Sequence, residues 1–155
     1  MQFSSKEDIE APADDVFAML SEFETFERSA IRRGVEVQRV GDAAAPRPGL
    51  AWNVHFTLRG KPRDLVLELV QYDRPNAMRF EADSQGLDAT MMLDLLPLSQ
   101  RRTRISVVLN LKPKTLSSRL LVQSLKLAKA NLSKRFKLKI AEFAKSMEER
   151  HQRSA

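Results

Sequence analysis

The chain reads as an α+β domain, a curved antiparallel sheet of about seven strands gripping a long C-terminal helix, with two short helices after the first strand. Three observations predict it. No Gly or Pro follows Pro113, so nothing in the backbone chemistry stops a helix from Thr115 to about Arg150. Between residues 35 and 111 the apolar residues alternate in short runs separated by turn formers. Ahead of these, a short strand runs straight into Ala11-Pro12-Ala13-Asp14-Asp15, which opens a helical spacing.

Gln2 to Glu10 is the first strand, with Phe3 and Ile9 set among polar residues. Pro12 loses no useful hydrogen bond in a first helical turn, and Asp14 and Asp15 complement the positive end of the dipole there. Val16, Phe17, Leu20, Phe23 and Phe26 follow at helical spacing, best divided into two short helices near Ser21. Gly34 ends that region, Val35–Val40 alternates as a strand, and Gly41–Gly49 is a loop by composition. Leu50, Trp52, Val54, Phe56 and Leu58 then alternate strictly with polar or small residues. Gly60-Lys61-Pro62 turns the chain into a strand over Leu65–Tyr72, and Asp73–Asn76 turns it again. Strands over 78–83, Ala89–Leu96 and Arg104–Leu111 follow, joined by turns at Ser84–Gly86 and Pro97–Arg102. Turn-length connections make neighbours antiparallel.

At 1.5 Å rise per residue the terminal helix would be roughly 50 Å long. Spacing at 100° gathers Leu121, Leu125, Ala128, Leu132, Phe136, Ile140, Phe143 and Met147 onto one stripe, which the sheet must bury. Lys129 and Lys139 interrupt the stripe, either anchoring a ligand or snorkelling to water. A second row, Leu116, Leu120, Leu127 and Leu138, lies off it, suited to a cavity mouth, a partner or a membrane surface.

A length of 155 residues fits one domain, 1–155, with a core that needs no staples. The absence of cysteine excludes disulfides, thiolate metal sites and a cysteine nucleophile. The N-terminus carries no apolar signal segment, and no apolar run reaches the roughly 18 residues of a membrane span, so a cytoplasmic location is expected. Of the net charge of +6, the stretch from Lys112 onward holds twelve Lys/Arg against three Glu. The basic character therefore belongs to the terminal helix, where a solvated outer face accounts for it more simply than a nucleic-acid site.

The order of elements, with Asp8-Ile9-Glu10-Ala11-Pro12-Ala13-Asp14-Asp15-Val16-Phe17-Ala18-Met19-Leu20 at its start, resembles the START-like helix-grip superfamily (SRPBCC). That superfamily includes polyketide cyclases and dehydrases, lipid-transfer domains and the major birch-pollen allergen. Phe17 stands where the family often has Trp. The resemblance implies a cavity between sheet and terminal helix for an apolar ligand, held by binders, carriers and cyclases alike.

On the residues, the cavity wall is expected at Trp52, Val54, Phe56, Leu67, Met78, Phe80, Met91, Leu93 and Val107 of the sheet, with Leu125, Lys129, Leu132 and Phe136 of the helix opposite. No catalytic constellation is visible: His151 lies in the tail, His55 faces away from Trp52, and no His, Ser or carboxylate set has the needed spacing. No metal or cofactor motif is present. The expected partner is a hydrophobic small molecule, a lipid, isoprenoid or polyketide-like ring system. Two alternatives stay open. A cyclase or dehydratase would use the same cavity and would need Lys129 as its polar group. A surface-docking protein would instead lay its basic helix face on anionic lipid, as a peripheral membrane contact, or on RNA.

Overall fold

The computed structural model describes residues 1–41 and 45–154. Its strands are β1 (Gln2–Ile9), β2 (Glu36–Val40), β3 (Ala51–Leu58), β4 (Lys61–Asp73), β5 (Ala77–Ser84), β6 (Leu87–Ser99) and β7 (Arg102–Pro113). Helices α1 (Ala13–Leu20) and α2 (Phe23–Arg32) follow β1, and α3 (Leu116–Leu127) and α4 (Lys129–Ser154) follow β7. The strands form one antiparallel sheet in the order β1-β7-β6-β5-β4-β3-β2. This is the α+β architecture expected, with seven strands, two short helices after the first and a long helix at the end. Of the loop read at Gly41–Gly49, residues Asp42, Ala43 and Ala44 lie outside the described residues.

Strand alternation sets the faces. Trp52 sits opposite Leu67, Leu69 opposite Phe80, Phe80 opposite Met91 and Leu93 opposite Val107. An apolar row therefore crosses the sheet on its inner side, leaving His55 on the outer one. Bulges between Leu69 and Gln71 and between Pro97 and Ser99 keep that alternation in register and bend the sheet. The turns are tighter than expected. Leu58 pairs with Lys61, so the hairpin turns on Arg59-Gly60 alone, both at positive φ (53° and 76°), and Pro62 lies inside β4.

Pro12 caps α1, Asp14 and Asp15 fill its first turn, and Val16 and Phe17 are wholly buried. Ser21 ends α1, its hydroxyl donating to the Phe17 carbonyl at 2.7 Å, and α2 begins two residues later. Phe23, the one buried residue of α2, meets Trp52 edge-on at 5.5 Å and Phe80 at 6.1 Å.

The long helix is not one rod. It breaks at Ala128 (φ −107°, ψ 15°), whose N–H donates to the Leu125 carbonyl at 3.0 Å before α4 begins. Neither Gly nor Pro causes this. The two halves bury different faces against different partners, and tertiary packing overrides helix propensity. Helix α3 buries Ser118 and Val122 while lying over the end of the sheet. It starts at the β5–β6 turn, where Lys114 N–H donates to the Gly86 carbonyl at 2.7 Å, and ends near the β3–β4 turn, where Arg59 donates to the Ser124 hydroxyl. Helix α4 then returns across the inner face, burying Ala144 and Met147. Its far end is held where Glu148 accepts the Glu10 N–H at 2.8 Å and Arg150 pairs with Glu22 at 2.5 Å.

Candidate functional site

Between the inner face of the sheet and helices α2 and α4 lies a cavity of about 420 Å³. A volume of this order accommodates a small organic molecule. Trp52 and Val54 of β3, Leu67 of β4, Met78 and Phe80 of β5, Met91 and Leu93 of β6 and Val107 of β7 line it. These are eight of the thirteen residues expected at the wall. The remaining five lie outside the lining. Phe56, two residues beyond Val54 on the same face, is half-buried toward the β3–β4 turn. Leu125 belongs to α3, which the break at Ala128 carries over the sheet end. Lys129 is exposed at the start of α4, and Leu132 is half-buried one turn later. Phe136 packs instead on Phe3 of β1, ring centres 5.9 Å apart. The helix contributes its later turns instead, through Ile140, Phe143 and Met147.

Helix α2 supplies a wall that the expectation omitted: Phe23, Phe26, Glu27 and Ala30, with Leu20 before them and Val35 and Val37 of the β2 region after. Ile105 completes the β7 side. The signal for α2 was present in the spacing of Phe23, Phe26 and Ala30 on one helical face. Phe143 lines the cavity yet is 44 % exposed, and Phe26 packs on it at 5.8 Å. These two rings mark the rim, between α2 and α4.

Among the described residues, Glu27 is the single charged member of the lining. Its Oε2 accepts the indole N–H of Trp52 at 2.9 Å and the Nε–H of Arg39 at 2.7 Å. Both partners project from the β2–β3 pair, where Arg39 lies directly opposite Trp52. The groups whose titration is displaced sit elsewhere, in exposed pairs. Asp8 is held below the usual carboxylate range by its hydrogen bond from Arg104, and His55 is raised by its bond to Asp64. Lys129 has no place in the cavity, and Lys139 pairs with Glu142 on the surface at 3.4 Å. Among the described residues, no three His, Cys, Asp or Glu side chains converge as a metal site would.

A family model described as polyketide cyclase / dehydrase and lipid transport matches residues 1–148. No curated protein matches the sequence. Several solved structures share the fold at low identity. A Thermus thermophilus protein superposes over 100% of this chain and 99% of its own, with TM-score 0.66 and 17% identity. A norcoclaurine synthase point mutant from Thalictrum, in complex with a transition-state analogue, covers 94% of each chain at TM-score 0.64 and 12% identity. A START superfamily protein from Mycobacterium smegmatis covers 86% of this chain and 95% of its own, at TM-score 0.56 and 13% identity. The family match extends over nearly the whole chain, and the chain belongs to the polyketide cyclase / dehydrase and lipid transport family.

Proposed function

We propose that the protein binds a hydrophobic small molecule, a lipid, isoprenoid or polyketide-like ring system, in the cavity between its sheet and helices α2 and α4. The observation that carries this reading is a cavity of about 420 Å³ walled by aromatic and aliphatic side chains, with Glu27 as its only charged member among the described residues. Affinity would come chiefly from apolar surface removed from water, at roughly 25 cal/mol per Å². The description of the family, which includes lipid transport, supports the same reading. The cyclase alternative is weaker, because the polar group it relied on, Lys129, stands outside the cavity. A cytoplasmic site of action is part of this proposal. The test is native mass spectrometry of protein purified from its own host, followed by organic extraction. A retained apolar molecule at one per chain supports the reading. An empty protein that also fails to take up apolar dyes refutes it.

One observation favours a second, compatible activity. Leu116, Leu120 and Leu127 on α3 are 73 %, 60 % and 92 % exposed, and Lys114, Arg119 and Lys126 lie along the same short helix and its start. Exposed leucines beside cations suit peripheral contact with an anionic bilayer. Such contact would weaken steeply with salt. Arg119→Glu with Lys126→Glu on α3 should abolish vesicle binding while leaving the cavity competent.

A further inference from the structure

We infer that Glu27 determines specificity in the cavity, selecting a neutral ligand whose head group donates a hydroxyl hydrogen bond and rejecting the corresponding carboxylic acid. The inference rests on the cavity being a ligand site. Glu27 follows Phe23 by four residues, so α2 presents both on one face and aims a carboxylate into an apolar wall. Its side chain is only 19% exposed. Trp52 and Arg39 both donate to Oε2, which fixes the plane of the group and leaves Oε1 without a hydrogen bond from any described residue. A carboxylate oxygen has two acceptor sites, so Oε1 has capacity to accept from a ligand donor. A ligand hydroxyl would satisfy it.

The sign of the preference follows from which partner faces the cavity. Glu27 lines it and Arg39 does not. A bound carboxylate would therefore meet a second carboxylate in surroundings of low dielectric, where like charges repel most. Arg39 pairs with Glu27 at 2.7 Å, so the carboxylate already has a cationic partner and a neutral donor can complete its hydrogen bonding.

Three matched probes test this: decanol, decyl methyl ether and decanoic acid, each titrated into the purified chain. Trp52, the one tryptophan, stands in the cavity wall, so its emission reports occupancy. Decanol should bind about tenfold more tightly than the ether, which lacks the donor, and at least as far ahead of the acid. In Glu27→Gln, the amide oxygen can keep Trp52 and Arg39 while the amide nitrogen turns the free acceptor into a donor. The acid should then gain about tenfold and the alcohol lose its lead. If the variant does not fold, the ordering in the unmodified chain decides alone. Equal affinities for alcohol and ether overturn the inference and leave the cavity reading standing. Failure of all three to bind overturns both.

Discussion

Gly86 offers a perturbation whose cost can be worked out atom by atom. It sits in the β5–β6 turn at φ +84°, and a Cβ built on it would stand 2.4 Å from Thr115 Cγ2 and 2.9 Å from Thr115 Oγ1. Thr115 caps α3: its hydroxyl oxygen accepts the Ser118 N–H at 3.1 Å, while Ser118 Oγ accepts the Thr115 N–H at 3.0 Å. Gly86→Ala therefore carries two costs. Placing an alanine in the left-handed region costs about 1–2 kcal/mol. Forcing Thr115 off its rotamer also breaks a cap worth about 1 kcal/mol. The sum is about 2–3 kcal/mol. Gly60→Ala is the matched control, because Gly60 has φ +76° but no atom within 4 Å of the added carbon. Only the first cost applies there. Urea unfolding at unchanged m should place Gly86→Ala about 1 kcal/mol below Gly60→Ala. Thr115→Ala removes the obstructing atoms, so the double variant with Gly86→Ala should cost less than the two singles together. Equal midpoints for the two glycine variants, or strict additivity in the double, would refute the reasoning.

Ala30→Phe should fill the cavity from α2, abolishing uptake of an apolar dye while leaving the melting temperature equal or higher. Phe17→Ala empties a fully buried site beneath Tyr72 and should cost about 3–5 kcal/mol in denaturant unfolding. His55 should titrate above its ordinary 6.5, since the Asp64 carboxylate favours its charged form, and Asp64→Asn should lower the midpoint toward the ordinary value in an NMR titration. The sign follows from linkage: the raised folded pKa gives stability that is fully present below 6.5 and lost as pH rises through the folded value. A midpoint at or below 6.5 in the unmodified protein would count against the pair.

The sheet was legible because its information is local. Strict alternation from Leu50 to Leu58 fixes which side Trp52 and Val54 take, and once their parity is known the inner faces of β4 to β7 follow by pairing. Alternation does not say where along a strand a cavity stops, so Phe56 was grouped with Trp52 though it lies beyond the lining. The helical stripe has the same limit in another form. It gives an azimuth, and the turn that lies over the cavity depends on where the helix bends. Nothing between Leu125 and Leu132 has the propensity to break a helix. Burial of Val122 on α3 and of Ala144 and Met147 on α4 is a matter of tertiary packing, which propensity does not carry. Glu27 was discoverable in principle: a charge four residues after Phe23 falls on the apolar face of a short helix. Its partners could not be read, since Trp52 and Arg39 come close only after β2 and β3 pair.

The pairing of β1 with β7 also has a meaning in time. Phe3 lies opposite Leu109 and Ile9 opposite Thr103, so β1 is completed by a strand synthesised long after it. At synthesis rates of about 5–20 residues per second, β1 waits roughly 5–20 s for its neighbour. During that interval Ile9, Val16 and Phe17 have no finished sheet to shelter them. The nascent chain therefore depends on whatever holds its N-terminal segment until β7 emerges, and a stop anywhere before Arg102 leaves that segment permanently unpaired.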